Sequence, residues 1–167
     1  MPNSEQHPEI WKLLDAIPDP EIPVISIIEL GVVREVQHVN SKVTITITPT
    51  YSGCPAVNLF QDEIVTTLNN NGYTDVEINT TYSPAWTTDW MPETAKQKLK
   101  EFGIAPPEIK MDSHDKLDLF KDNEKVVACP YCNSTNSHLE SQFGSTACKA
   151  LYFCDDCIQP FEHFKCI

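Results

Sequence analysis

Cationic side chains are scarce in this sequence. Twelve lysines and arginines face 24 acids, which gives a formal net charge of −12. A nucleic-acid-binding protein needs a basic face to neutralise phosphates, so this balance argues against that class. Long apolar runs are also missing, because no stretch approaches the roughly 18 apolar residues that a membrane-spanning helix needs. The first residues lack the basic-then-apolar order of a secretion signal, and we therefore expect a cytoplasmic protein.

Signatures of several redox enzymes are missing too. The sequence has no Glu-x-x-His pair of the di-iron type, no GxGxxG loop for a flavin or nicotinamide, and no C-x4-C-x2-C spacing of a plant-type ferredoxin. The histidines are scattered and none accompanies the isolated Cys54, so a Cys–His hydrolase is poorly supported. These absences argue against a di-iron oxygenase, a flavin- or nicotinamide-dependent enzyme, a plant-type ferredoxin and a Cys–His hydrolase.

Cysteine, in contrast, is abundant and unevenly placed. Six of the seven cysteines lie within residues 129–166, and Cys54 stands far away. A reducing cytoplasm keeps such thiols reduced, so a metal site is favoured over a disulfide framework. Two CxxC pairs, 129–132 and 154–157, are separated by 21 residues. Two such turns joined by a hairpin give the four-sulfur tetrahedron that suits Zn²⁺. The spacing predicts a zinc ribbon, with the ligands Cys129, Cys132, Cys154 and Cys157.

Alternatives to this zinc site stay open at the level of sequence. The two pairs of thiols could form a redox dithiol system or remain unligated, and iron also fits a four-sulfur site. Cys148 lies six residues before Cys154 and is an alternative ligand, although a buried position beside the site is favoured. Cys166 is interpreted as a terminal packing residue. In a module of about forty residues, the metal is expected to supply most of the folding free energy.

The first 107 residues predict a small two-layer α+β domain in the order α-β-β-α-β-α. Apolar residues recur at helical spacing in three segments and alternate with polar residues in three others. The predicted helices cover residues 8–17, 55–70 and 89–102, and the predicted strands cover residues 32–39, 42–48 and 75–82. The first two strands are expected to form a hairpin that turns at Asn40-Ser41 and buries one face.

A change of composition separates this domain from the cysteine module. Residues 108–127 contain six acids and four lysines, which predicts a charged linker. The predicted division is therefore a domain over 1–107, a linker over 108–127 and a four-cysteine zinc ribbon over 128–167.

A proline-rich segment follows the first predicted helix. Pro18, Pro20 and Pro23 end that helix and fix an extended, rigid backbone around Asp19. Such a segment is consistent with a carboxylate whose position matters, and equally with a proline-rich loop whose acids are solvated.

Cys54 is predicted to lie at the start of the second helix, just before Pro55. Backbone N–H groups and the helix dipole stabilise a thiolate at such a place, which makes Cys54 a candidate nucleophile, redox thiol or iron ligand. The alternative is a small packing residue at a strand–helix junction. A third notable loop, Trp86–Met91, holds two tryptophans that either complete the core or form a docking patch for a partner.

Together these segments resemble known families. The first domain resembles the SufT-like iron–sulfur assembly domain, through residues 19–24, 30–31, 50–55 and 84–90. The whole chain resembles the D-subunit family of bacterial phenylacetyl-CoA epoxidase systems. That resemblance rests on WTTDWM (86–91), FGIAPP (102–107), CPYC (129–132), FGSTACK (143–149) and CDDCIQPF (154–161).

The resemblance implies a non-enzymatic accessory or maturation protein of the epoxidase in phenylacetate catabolism, with no catalytic residue of its own. It implies that Cys54, with Asp19 and Thr50 nearby, transiently holds iron or an iron–sulfur cluster, while the ribbon zinc is structural. The expected partners are other epoxidase subunits, above all the iron–sulfur reductase subunit. A purely structural subunit of the complex is the alternative, and a homodimer is one expectation for so small a domain.

Overall fold

The computed structural model describes residues 6–51, 53–107 and 126–165. Backbone contacts divide the chain into two compact units, the first ending at Lys98 and the second running from Leu99 to Cys166. Among the residues so described, no helix is both long enough and apolar enough to cross a membrane. Most of the predicted linker, residues 108–125, lies outside the described residues.

The first unit begins with helix α1, Pro8–Asp15, which buries Ile10, Trp11 and Leu14. Strands β1, Val33–Val39, and β2, Lys42–Ile47, then pair antiparallel. Asn40 and Ser41 join them with positive φ values of 50° and 76°, as a two-residue hairpin turn requires. Val43, Ile45 and Ile47 are fully buried, so the predicted hairpin with one buried face is confirmed.

A parallel strand completes the first sheet. Helix α2, Ala56–Asn70, buries Ala56, Phe60, Ile64 and Leu68 and connects β2 to β3, Asp75–Thr80. β3 pairs parallel with β2, which gives the strand order β1-β2-β3. The helix thus serves as the crossover that parallel pairing requires.

The last predicted helix begins later than expected. A single helix was predicted over 89–102, whereas the structure has a short 3₁₀ turn, Thr88–Trp90, and then helix α3, Glu93–Glu101. Pro92 separates them, because proline has no N–H to continue a helix from the preceding turn but is tolerated where a new helix starts. The predicted order of elements in this part of the chain is otherwise confirmed.

The second unit is a four-stranded sheet in the order β4-β7-β6-β5. Its strands are β4, Ile104–Ala105; β5, Ser137–Ser141; β6, Lys149–Cys154; and β7, Gln159–Phe164. β5, β6 and β7 form the antiparallel ribbon, and β4 pairs parallel with β7. β4 was not predicted and belongs to this sheet, while the predicted domain boundary at residue 107 stays a prediction.

The core of the second unit is small. Its buried cluster comprises Ala105, Val127, Cys129, Ala150, Tyr152, Cys154 and Phe161. Tyr152 stacks on Phe161 with ring centroids 5.8 Å apart. Two of the seven members are predicted metal ligands, so the core and the metal centre of this unit are continuous.

Candidate metal centre and cysteine pocket

The four cysteines predicted as ligands converge on one point. Their sulfur atoms all lie within 4.8 Å of one another. The Sγ atoms of Cys129 and Cys157 are 3.7 Å apart, and those of Cys132 and Cys154 are 3.6 Å apart. A regular tetrahedron with Zn–S bonds of about 2.3 Å has edges of about 3.8 Å. The spacing and the all-sulfur donor set therefore fit a tetrahedral metal site.

Local backbone geometry forms each of the two CxxC turns. In the first, the N–H of Asn133 donates to the carbonyl of Cys129 at 2.9 Å, and Asn133 itself adopts a φ of 61°. In the second, Cys154 ends β6 and the N–H groups of Asp156 and Cys157 donate to its sulfur. Such N–H···S bonds aim the sulfurs inward and stabilise negative charge on them.

The thiols of this cluster differ in acidity before any metal is considered. Backbone N–H donors lower the pKa of Cys154 to about 7, against the opposing effect of burial. Burial, together with the neighbouring thiols, raises the pKa of Cys157 to about 12. A metal ion replaces the protons of all its thiol ligands. Metal binding therefore releases these protons, and the affinity of the cluster for a metal ion depends on pH.

Polar contacts tie the two turns together next to the metal centre. Asp156, between the second pair of cysteines, accepts hydrogen bonds from the hydroxyl of Ser134 and, at 2.8 Å, from the amide of Asn136. These two donors lower the pKa of the Asp156 carboxyl. Cys148 is not among the four clustered sulfurs, and its Sγ lies 3.0 Å from the Thr146 hydroxyl. The interpretation of Cys166 falls outside the described residues.

Cys54 lies between β2 and α2, as predicted, and is half-buried. Its own N–H donates to the carbonyl of Tyr51 at 3.2 Å, and its carbonyl accepts from Val57 at 3.3 Å. Its sulfur accepts hydrogen bonds from the Thr50 hydroxyl and from the N–H of Ala56. Two of the three residues predicted for this pocket, Cys54 and Thr50, are thus in direct contact.

Asp19 presents a buried carboxylate whose charge acts on Cys54. It is 7% exposed, whereas the neighbouring Glu21 is exposed. The Asp19 Oδ1 atom accepts the N–H groups of both Glu21 and Ile22 at 2.8 Å. Its charge acts on the sulfur of Cys54. The proline-rich segment therefore holds Asp19 in place and does not merely leave it in solvent.

The electrostatics of Cys54 correct one expectation from sequence. The helix terminus was expected to stabilise a thiolate, and the Ala56 N–H and the Thr50 hydroxyl do lower the pKa of Cys54. Burial has the larger effect, however, and with the charges of Asp19 and Glu21 it leaves the pKa above that of an ordinary cysteine. Cys54 is therefore a neutral thiol near neutral pH, in surroundings that disfavour an anion.

An apolar cavity borders Thr50, the residue whose hydroxyl contacts Cys54, and sequence reasoning did not foresee it. Its volume is about 320 Å³, and it is lined by Thr48, Pro49, Thr50, Tyr51, Tyr82, Ala85 and Trp86. The Trp86 ring is buried and its Nε1–H donates to the carbonyl of Leu30 at 3.0 Å. Trp86 and Met91 thus fill the core, which was one of the two alternatives for their loop.

Comparison with known proteins assigns both units. Residues 8–80 match a family described as iron–sulfur cluster assembly protein, and residues 113–165 match the PaaD zinc beta ribbon domain. A protein of Escherichia coli K12, whose name describes it as the putative D subunit of 1,2-phenylacetyl-CoA epoxidase, is 48% identical over 95% of this chain and 92% of its own length. This chain belongs to the D-subunit family.

Other relatives of this member of the D-subunit family match only about half of its length. The Bacillus subtilis protein named Fe-S protein maturation auxiliary factor YitW is 35% identical over 54% of this chain and 89% of its own length. A crystal structure of a domain of unknown function, DUF59, from Bacillus anthracis superposes with a TM-score of 0.52 at 29% identity, over 55% of this chain and 89% of its own. The resemblance and the fold class predicted from sequence are both confirmed.

Proposed function

We propose that this protein is an accessory, non-catalytic component of a phenylacetyl-CoA epoxidase system, and that it assists assembly or insertion of an iron–sulfur cluster. Cys54, Thr50 and Asp19 would hold iron or a cluster in transit. The observation that supports this proposal is the environment of Cys54. Its half-buried sulfur accepts a hydrogen bond from Thr50, and the charge of the buried Asp19 acts on it. The names of the D-subunit relative and of the maturation factor support the same assignment.

The electrostatics of the pocket suit a passing cation. Burial and two carboxylates keep the Cys54 thiol protonated and therefore poorly reactive toward oxidants. A bound cation would reverse this preference for the neutral thiol, because it attracts both the thiolate and the carboxylate of Asp19. A single sulfur also gives a weaker hold than four, and weak binding suits delivery.

The second unit has a different role in this proposal. Its four cysteines would bind Zn²⁺ permanently, and that ion would maintain the fold and perform no chemistry. The ribbon would then present a stable surface to the other epoxidase subunits, of which the iron–sulfur reductase subunit is the proposed client.

Metal analysis of protein prepared without air tests the proposal. We expect about one equivalent of zinc together with substoichiometric iron, and acid-labile sulfide if the cargo is a cluster. Cys54→Ser should lose the iron and keep the zinc, whereas the control Cys148→Ser, which alters another half-buried thiol, should keep both. A chain with Cys54→Ser that still yields a fully metallated reductase subunit would contradict the transfer role.

A second candidate function is a structural subunit of the epoxidase complex. The observation that favours it is the apolar cavity lined by Thr50 and Trp86, because its lining residue Tyr82 is 55% exposed and therefore available to a partner. Under this alternative, the protein would purify with the oxygenase subunits in fixed stoichiometry, and Cys54→Ser would leave epoxidase activity unchanged.

A further inference from the structure

Arg34 is the only arginine among the 167 residues. It lies in β1 where the pairing with β2 shifts register: Val33 pairs with Ile47, but Glu35 pairs with Thr46, so Arg34 is the extra residue of a β-bulge. Bulges redirect a side chain that regular pairing would place elsewhere. In this structure the bulge allows Val33 and Val36 both to remain in the core while Arg34 stays partly exposed.

The redirected side chain stacks on an indole ring. The guanidinium carbon of Arg34 lies 3.4 Å from the centroid of the Trp90 ring. Gly31 makes this arrangement feasible, because its φ is +76° and a Cβ at this position would be only 2.8 Å from the Cβ of Trp90. The β-bulge at Arg34 thus contributes to this cation–π pair. Gly31 contributes as well, in a backbone conformation that residues with side chains rarely adopt.

The guanidinium has no carboxylate partner among the described residues, although the chain carries 24 acids. Lys42, Lys96 and Lys98 of the same unit each form an ion pair, at 2.6, 2.6 and 2.7 Å. Burial alone perturbs Arg34 and lowers its pKa from the ordinary arginine value. Stacking occupies one face of the guanidinium and leaves its N–H edges available for hydrogen bonds. These edges are suited to bidentate contact with a planar anion.

From this geometry we infer that the Arg34–Trp90 pair is a recognition site for one carboxylate of a partner protein. A planar guanidinium edge matches a carboxylate, and arginine and tryptophan are the residue types that most often dominate the binding energy of protein interfaces. The net charge of −12 repels nucleic acids and strongly acidic surfaces. The partner therefore presents a single Asp, Glu or C-terminal carboxylate in a neutral or basic setting.

The unique arginine permits a direct test on the full-length, zinc-loaded protein. Its Nε–H gives a single arginine side-chain signal in a ¹H–¹⁵N spectrum. Titration with sodium acetate should shift this signal and the Trp90 indole signal saturably, and sodium chloride at equal ionic strength should not. Equal responses to acetate and chloride would overturn the proposal, as would a stronger saturable response to inorganic phosphate.

A second arm tests whether the carboxylate belongs to a protein, and it rests on the proposed function. Binding of purified epoxidase oxygenase and reductase subunits is compared for the wild type, Arg34→Lys and Lys42→Gln. Arg34→Lys keeps the charge but loses the planar fork, and we expect about a tenfold or greater loss of affinity. Lys42→Gln is the control, because it removes a cation of the same hairpin that already has a partner.

The possible failures are distinguishable. Unchanged subunit binding by Arg34→Lys, with normal zinc content and thermal unfolding, would overturn this inference and leave the proposed function intact. Absence of binding by the wild type itself would count against the proposed function and against a subunit as the source of the carboxylate. The acetate titration decides the anion preference in either case.

Discussion

The first unit has a core of fully buried aliphatic side chains, which include Ile10, Leu14, Ile45 and Ile64. Among the described residues, the core cluster of the second unit has seven members, and two of them are predicted cysteine ligands. Burial of apolar surface drives folding in proportion to its area, so the first unit has the larger driving force, although Leu99 and Phe164 of the second unit are also fully buried. We therefore expect the second unit to depend on the free energy of metal binding, whereas the first should fold without a metal ion.

The two cysteine sites differ for the same reason. In the ribbon, four sulfurs surround one point and leave no open ligand position. In the first unit, Cys54 is alone, half-buried and bonded to a hydroxyl and an amide. A closed site retains its metal, and an open one can exchange it. Four experiments test this difference between the two units.

Loss of a ribbon ligand should have the largest effect. Cys154→Ser removes a fully buried ligand, and we expect bound zinc to disappear and the ribbon to unfold, because zinc binding contributes on the order of 10 kcal/mol to such modules. Zinc analysis and amide NMR signals of β5, β6 and β7 check this outcome. Signals of the hairpin β1–β2 should persist, and simultaneous collapse of both units would refute the separation of their stabilities.

Truncation of a core side chain in the first unit should destabilise that unit and leave the zinc site intact. Ile45→Ala creates a cavity under the sheet and should cost about 2–5 kcal/mol in free energy of unfolding. Chemical denaturation monitored by tryptophan fluorescence measures this loss, while zinc content should stay at the wild-type value. Thr44→Ala on the opposite face is the control, with a change below about 1 kcal/mol.

The ion pair of Lys149 and Glu162 tests whether interactions other than metal binding also stabilise the ribbon. Lys149 Nζ lies 2.8 Å from Glu162 Oε2, and the lysine side chain is only 5% exposed. Lys149→Met leaves the carboxylate of Glu162 without this partner and should cost about 2 kcal/mol. Thermal unfolding of the zinc-loaded ribbon gives the value. The control Glu140→Gln, which removes an exposed charge that pairs with His138, should have a smaller effect.

The smallest effect concerns the acidity of Cys54. Because its pKa is raised, the thiolate fraction at neutral pH is below that of an unfolded cysteine, and alkylation by iodoacetamide should accelerate only at higher pH. Asp19→Asn removes a negative charge but retains an oxygen for the turn, so it should lower the pKa of Cys54 and speed alkylation a few-fold at about pH 8.

Peptide-resolved mass spectrometry separates Cys54 from the other thiols in that experiment. Glu21→Gln is the matched control and should act in the same direction but less, because its charge has the smaller effect on Cys54. A rate–pH midpoint for Cys54 at or below that of the urea-unfolded chain would contradict the raised pKa.

The sequence predicted the features that depend on local pattern. Alternation at Val43, Ile45 and Ile47, the turn at Asn40-Ser41 and the spacing of the CxxC pairs each require only a few consecutive residues to be recognised. The hairpin, the helices α1 and α2 and the four converging sulfurs followed from them. The family resemblance came from longer strings of residues and was confirmed by the comparison.

Features set by distant parts of the chain were not predictable in this way. The parallel pairing of β2 with β3 depends on how α2 crosses the sheet, and β4 has only two residues, too few for any pattern. The raised pKa of Cys54 requires knowledge of its burial and of the position of Asp19, 35 positions away in the chain. In the sequence, the bulge at Arg34 is indicated only by the spacing of Val33 and Val36, which strict alternation does not produce.

The pairing of β4 with β7 has a consequence for where the chain can be divided. Ile104 and Ala105 lie beside Glu162 and His163, so the segment that includes residues 108–125 leaves from and returns to the second unit. Both described ends of that segment are anchored in one core, because Ala105 and Val127 belong to the same buried cluster. A ribbon expressed from residue 108 onward would accordingly lack β4 and should be less stable than one that begins at Leu99.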